Sequence, residues 1–454
     1  MATETKSKFE KMTTEPVEKL VAKLAVPTII GMLITAFYNM ADTFFVGQIG
    51  TSATAAVGVA FSLQALIQAL GFLFGQGSGN FISRMLGAQN EKDASVMASV
   101  GFFSGFILAI IFAVICLIFI EPICMLLGST ETILPYAVEY LRWILIFAPF
   151  SVGSFILNNQ MRFQGNASYA VVGLTVGSIL NIGLDPLFIF VFEMGTAGAS
   201  FATGLSQFVS FSILVYLDIK KCTVPISFKN FKPSGKVFAD VFKGGIPSFA
   251  RQSLASVSTI MLNTMAGKYG ADAAIAGMSV VTRISMFASS VLIGFGQGFQ
   301  PVCGFNYGAK LYERVKKAFF FCVKFASLFL LVAGIIMSIF APSIIKIFRD
   351  DPDVIAIGTV ALRWQCATLF LTATVVLSNM MLQTMGMAVP ATIVAMSRQF
   401  IFFIPLLVIL GALLGLKGIE ITQSVADVCA FCLSVPIVLK VLNNLTEEEK
   451  QGKN

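Results

Sequence analysis

Twelve apolar runs, each about twenty residues or longer, are separated by short polar stretches along this chain. As an α-helix, a run of that length matches the thickness of a bilayer core. A membrane barrel would instead alternate apolar and polar residues over about ten. The hydrocarbon core admits only these two forms, because every backbone amide and carbonyl must be satisfied internally. Composition agrees: 56% of residues are apolar, 12% are charged and mean hydropathy is +0.85. Soluble domains carry about a quarter charged residues. The expected fold is an all-α polytopic membrane protein. Its spans are expected near 24–46, 54–80, 95–120, 133–156, 168–192, 198–218, 243–266, 274–300, 318–341, 355–379, 389–412 and 418–440.

The polar leader, residues 1–23, runs directly into the first span, which is expected to serve as an uncleaved signal. The leader itself reads as partly disordered or as a surface helix. Lys and Arg gather in the leader, the tail and alternate loops, as at Lys220, Lys221, Lys229, Lys232, Lys236 and Lys243. The opposite loops lean acidic, with Glu121, Glu131, Glu139, Glu193, Asp350, Asp351 and Asp353. The positive-inside rule then puts both termini in the cytoplasm, with the basic linker against the anionic inner leaflet. A net charge of +7 distributed in this way is a topology signal rather than a nucleic-acid footprint. There is no histidine, so proton chemistry falls to carboxylates. Cys429 and Cys432 lie on an apolar helix and read as small packing residues rather than as metal or redox groups.

Shifting the chain by about 221 residues superposes Gly75-Gln76-Gly77 on Gly296-Gln297-Gly298 and Gly87-Ala88 on Gly308-Ala309. The same shift puts Arg142-Trp143 on Arg363-Trp364, Asn158 on Asn379 and Gly165 on Gly386. One residue of slippage pairs Pro27 with Pro247 and Pro122 with Pro342. This pattern implies a duplication. Six spans per repeat is even, so the halves share orientation and enclose a cavity about a pseudo-two-fold along the membrane normal. The expected divisions are a leader at 1–23, an N-lobe at 24–218, a basic linker at 219–242, a C-lobe at 243–440 and a tail at 441–454.

Two aspartates interrupt the apolar runs of the first half alone. Asp42 falls on Asn263, and Asp185 falls near Leu406. A carboxylate at that depth costs roughly 2.5–3.5 kcal/mol on insertion scales, so it needs a partner, a proton or a cation. Asp42 and Asp185 lie at similar depth, about 27 Å of helix from the start of their spans. Asn181 is one turn before Asp185, while Tyr140 and Thr203 arrive at the same level from spans 4 and 6. Asn39 or Asp42, Tyr140, Asn181, Asp185 and Thr203 thus offer oxygens suited to a proton or a hard cation such as Na+, and no other metal is expected. Pro186 leaves the carbonyl of Ile182 free, and Pro27 gives span 1 a similar bending point. Protonation of Asp42 or Asp185 would change the hydrogen bonding and bend span 1.

Asp427 in span 12 stands alone beside Gln423 and Ser424. With Arg251, which reads as reaching toward the cytoplasmic face, it is a candidate secondary polar site. The groups Gly71-x-x-x-Gly75 and Gly294-x-Gly-x-Gly298 read as close helix packing rather than phosphate loops. With no nucleotide site, transport would be driven by an ion gradient and would need no cofactor beyond H+ or Na+.

Several stretches together resemble the MATE (multidrug and toxic compound extrusion) family. They are Pro27, Tyr38-Asn39-Met40-Ala41-Asp42-Thr43, Val46-Gly47, Arg84-Met85-Leu86-Gly87-Ala88, Gly296-Gln297-Gly298-Phe299-Gln300-Pro301 and Asn306-Tyr307-Gly308-Ala309-Lys310. The resemblance implies a MATE/MOP-like fold of twelve helices in two pseudo-symmetric six-helix lobes. It also implies export of organic, often cationic or amphipathic compounds against inward flow of H+ or Na+. It is closest to the bacterial branch whose ion site is in the N-lobe, at positions matching Asp42, Tyr140, Asn181, Asp185 and Thr203. The other bacterial branch uses an acid on span 7, and residues 247–265 contain none. Expected partners are small organic molecules and the bilayer of the inner (plasma) membrane, without nucleic acid, for a chain acting as a monomer. The alternative is a lipid-linked oligosaccharide flippase of related fold, which would line its cleft with cations. Arg251 and Arg283 favour it, but few others lie in these spans. No nucleophile–base pair supports a membrane enzyme.

Overall fold

The computed structural model describes residues 2–452. Met1, Lys453 and Asn454 fall outside it, as do the side chains at 2–7, 43, 47, 51, 52, 54 and 450–452. The described residues form helices and connecting turns without a strand. The order is α1 (Ala2–Thr14), α2 (Val17–Gly47), α3 (Thr51–Gly87), α4 (Glu91–Ile118), α5 (Ile120–Leu126), α6 (Leu134–Phe163), α7 (Ala167–Pro186) and α8 (Gly195–Lys221). There follow α9 (Gly235–Gly308), α10 (Tyr312–Ile339), α11 (Ala341–Phe348), α12 (Pro352–Thr384), α13 (Ala388–Met396), α14 (Phe403–Leu414) and α15 (Leu416–Gly452). One π turn, Leu187–Val191, prolongs α7, and a second, Ser397–Ile401, joins α13 to α14.

Eleven helical stretches are long and apolar enough to cross a membrane. The sequence implied twelve spans, and α9 accounts for the difference. It runs 74 residues but breaks at Ala271, where φ is 53° and ψ −154°, into stretches 235–270 and 272–308. Gly50, with φ 148°, breaks the chain between α2 and α3 at the matching repeat position. Of the two readings of the leader, the helical one holds for α1, but the first-span helix begins at Val17, inside the expected leader. A further feature was not read from the sequence. Short helices α5 and α11 follow the third and ninth spans. Their apolar tips are bare, Leu126 being 85% exposed and Ile347 82% exposed.

Local chemistry sets several helix starts. Asp351 Oδ1 accepts from the amides of Asp353 (3.0 Å) and Val354 (3.3 Å), and Pro352 opens α12 where its missing N–H costs nothing. Asn90 caps α4, and Ser234 caps α9. Between α8 and α9 the linker is tied to the N-lobe rather than free. Phe228 stacks on Phe103 at 4.1 Å, the Val224 amide donates to Gln164 (3.0 Å), and the Ile226 amide donates to Asp218 (2.8 Å).

The helices pack as two lobes. In the first, α3 packs on α4 and α6, α6 on α8, and α7 on α2 and α8; in the second, α12 packs on α9, α10 and α15. The seam between lobes is made mainly by α9 against α2 and α3. Helix ends alternate, so one end of the bundle, here termed the basic end, carries α1, the linker and the Lys-rich loops. The seam contacts concentrate toward that end. A side-chain carbon at Gly298 would meet the backbone of Ala25, and one at Gly294 would meet Ile29. Gly87 lies against the carbonyl of Phe305, and Gly308 against that of Arg84. Residues 84 and 305 are themselves repeat partners, so this contact obeys the pseudo-two-fold. Hydrogen bonds reinforce it: Gln300 to Gln76 (3.3 Å), Thr384 to Asn80 (2.9 Å), and Arg84 Nη1 to the Thr384 carbonyl (2.7 Å). Close glycine packing is therefore the role of Gly294 and Gly298. Gly71 and Gly75 serve the same purpose within the N-lobe, against Phe155 and Asn159.

Candidate functional site

Helix α7 positions Asn181 and Asp185 one turn apart on its buried face. Asn181 Nδ2 donates to Asp185 Oδ1 at 3.2 Å and to Thr203 Oγ1 of α8 at 3.2 Å. Asp185, Asn181 and Tyr140 are buried, and Thr203 is nearly so. Tyr140, on α6, accepts a long hydrogen bond from Gln64 Nε2 of α3 (3.4 Å). From α2, Asp42 lies within electrostatic reach of Asp185. Four helices thus bring Asp42, Tyr140, Asn181, Asp185 and Thr203 into one neighbourhood, and α3 adds Gln64.

Among the described residues, several acceptors of the cluster have no donor. Asp42 Oδ1, Asp185 Oδ2 and Asn181 Oδ1 are buried without a hydrogen-bond partner, as is the Ser206 hydroxyl one turn along α8 from Thr203. Buried acceptors without donors cost about 1–3 kcal/mol each, so the arrangement is complementary to a group that supplies positive charge or a proton. The Ile182 carbonyl loses its donor at Pro186, and the π turn Leu187–Val191 begins at the next residue. Helix α2, by contrast, continues unbroken through Pro27.

Two residues were weighed differently in the sequence. Asn39 is exposed, whereas Tyr38 lies near Thr203 and within electrostatic reach of both aspartates. Tyr38 is four residues before Asp42, hence on its face of α2. That spacing was readable in the sequence. Ser206, three residues after Thr203 on α8, was readable in the same way; Gln64 had no such signal, because only tertiary packing brings it to Tyr140.

Asp427 was read as standing alone, but it is paired. Arg398 Nε donates to its Oδ1 at 2.7 Å, and Gln423 Nε2 donates to the same oxygen at 2.9 Å. Arg398 lies in the second π turn, 29 residues earlier, which is why local sequence concealed it. Arg251 does not join them. Its Nη1 donates to Asn379 Oδ1 at 3.0 Å, beside the lobe seam rather than out toward the bundle surface. An apolar groove of about 340 Å³, lined by Leu33, Phe287, Phe329 and Met337 among others, lies on the α2–α9–α10 flank and includes none of the acid cluster.

Comparison with known proteins points the same way. The profile of the family described as MatE matches residues 27–187 and 247–409, one segment in each lobe. The multidrug export protein MepA of Staphylococcus haemolyticus is 28% identical over 434 residues, 95% of each chain. The crystal structure of MATE in complex with MaL6 superposes with a TM-score of 0.92 at 26% identity, over 96% of this chain and 99% of that one. An outward-facing multidrug resistance MATE family transporter of the MOP superfamily gives 0.90 at 27% identity, over 95% and 99%.

Proposed function

This chain belongs to the MatE family, and we propose that it is a secondary active antiporter which exports organic, often cationic or amphipathic compounds in exchange for H+ or Na+. The multidrug export named for its relatives supports the substrate class. The observation that carries the coupling is the N-lobe cluster, where buried carboxyl and amide oxygens of Asp42, Asp185 and Asn181 lack donors. Tyr38, Tyr140 and Thr203 line the same neighbourhood, and a proton or Na+ completes it. The C-lobe acid, Asp427, is already neutralised by Arg398, so it serves packing rather than coupling.

Helix α2 connects this cluster to the seam. It carries Tyr38 and Asp42 at one end. At the other, Ala25 and Ile29 sit against Gly298 and Gly294, and Thr28 Oγ1 donates to the Gly294 carbonyl at 2.6 Å. Charge compensation at Asp42 and Asp185 alters how α2 seats on α7, and that change is carried to the seam, with Pro27 and Pro186 as the points that yield. By the positive-inside rule the basic end is cytoplasmic, with both termini there. The closed seam then makes this an outward-facing form of a plasma-membrane protein, in keeping with its likeness to an outward-facing relative.

The test is substrate uptake into inside-out vesicles with H+ and Na+ gradients imposed separately. A cationic dye should accumulate with one of them, and the Asp42→Asn/Asp185→Asn double variant should fail under both while inserting normally. Wild-type rates in that variant would refute the site.

A further inference from the structure

Arg162 is one of the largest side chains in this protein to be wholly buried. It closes α6 at the basic end, in the layer where the lobes meet. Its Nη2 donates to Asn159 Oδ1 at 2.5 Å, its guanidinium lies 5.3 Å from the Phe163 ring, and its Nε and Nη1 have no partner. Asn159 Oδ1 also accepts from Gln76 Nε2 (3.0 Å), and Gln76 Oε1 accepts from Gln300 across the seam (3.3 Å). Among the described residues Arg162 has no ion-pair partner, and Arg251 of the other lobe lies within electrostatic reach. Arg251 is itself held by the neutral Asn379, and Arg84 by a backbone carbonyl, with Asp240 within electrostatic reach of Arg84.

A buried guanidinium without a counter-charge is costly, and the removal of one unit of charge would relieve it. Its neighbours are amides, which neither release nor accept a proton readily, and Arg itself stays protonated. Asp42 and Asp185 lie on the far side of this layer, about 37 Å of helix from the start of α2 at Val17 and about 27 Å from the start of α7 at Ala167. A cation moving through the closed seam between the acid cluster and the basic end would meet the guanidiniums of Arg162 and Arg251, whose hydrogen-bond partners are the amides of Asn159 and Asn379.

We propose that Arg162, with Arg251 across the seam, forms an electrostatic barrier in the closed seam that excludes H+ and Na+ from the path between the acid cluster and the basic end. The barrier keeps ion movement tied to the conformational cycle. A fixed positive group serves the same purpose in other membrane pores. The proposal rests on the coupling-ion reading above, since an exporter without ion coupling would need no such barrier.

The experiment measures ion entry into substrate-free proteoliposomes, using a trapped pH dye and a Na+ dye under separately imposed gradients. Wild type should be tight. Arg162→Gln, which keeps a donor for Asn159, should leak on the order of tenfold faster, since each tenfold corresponds to about 1.36 kcal/mol of barrier. Arg162→Lys should stay tight, and Arg251→Gln should leak detectably. If Arg162→Gln remains folded and as tight as wild type, or if Arg162→Lys leaks equally, the charge barrier is overturned. Should Arg162→Gln not fold, Arg251→Gln carries the same test. Failure of the coupling reading is a different result: wild-type substrate uptake would respond to neither gradient.

Discussion

Asn158 and Asn379 stand 221 positions apart and make the same hydrogen bond. Each donates its side-chain amide to the carbonyl twelve residues on, Ala170 at 2.8 Å and Ala391 at 2.7 Å. Each tethers a long helix to the next span through a turn that also repeats, with Gly165 at φ 79° and Gly386 at φ 83°. The accepting carbonyls keep their places in helices, so Asn158→Ala loses one side-chain bond and leaves a small cavity, at an expected cost of about 1–2 kcal/mol. Asn379 Oδ1 also accepts from Arg251 Nη1, so Asn379→Ala loses a second, charge-assisted bond and should cost more. Thermal unfolding in detergent should show the larger drop for Asn379→Ala, and equal drops would mean that the Arg251 contact contributes nothing.

At Ala271 the backbone adopts a conformation, φ 53° with ψ −154°, that L residues rarely hold. Such positions cost about 1–3 kcal/mol. Ala271→Gly removes the Cβ that causes the strain, although a glycine loses more freedom on folding, roughly 0.5–1 kcal/mol. A net gain of about 1 kcal/mol is expected, seen as a higher melting temperature with unchanged transport. Gly50→Ala, at the matching turn of the first lobe, should move stability the other way.

Asp185→Asn separates stability from transport. The carboxylate leaves Oδ2 unpartnered, and the neighbouring Asn181 Oδ1 lacks a donor. An amide at 185 supplies that donor without charge. Melting temperature should hold or rise, by about 1 kcal/mol in equivalent stability, while gradient-driven uptake is lost. A destabilised variant would show instead that the carboxyl is structural.

The Arg398–Asp427 pair predicts the reverse pattern. Removing one partner of a buried ion pair strands the other, at about 3–5 kcal/mol, whereas replacing both with apolar groups is often neutral. Arg398→Met alone should lower the melting temperature sharply, and Arg398→Met/Asp427→Leu should recover most of the loss and still transport. A stable double variant that fails to transport would return Asp427 to the functional site.

Much of the architecture was legible because the bilayer makes a simple demand. Apolar runs of helical length mark spans, and matching glycines, asparagines and tryptophans mark the repeat. The glycines around Gly294 and Gly298 were legible as sites of close helix packing, but that this packing lies between the lobes, against Ala25 and Ile29, was not. The acids were legible for the same reason, since charge inside an apolar run stands out. Helices α5 and α11 escaped because each is a short continuation of a longer apolar run. Arg398 escaped because its partner lies on another helix.

By itself the sequence determined the helical class, the near-twelvefold division, the duplication and the depth of Asp42 and Asp185. These follow from hydrophobicity and from the rise per residue, both local properties of the chain. Tertiary structure alone decided which faces meet: Gln64 with Tyr140, Asp427 with Arg398, Arg251 with Asn379, and Arg162 with no counter-charge among the described residues. Rotation about a helix axis and the crossing of distant helices set those pairings, and neither is encoded in residue spacing along one span.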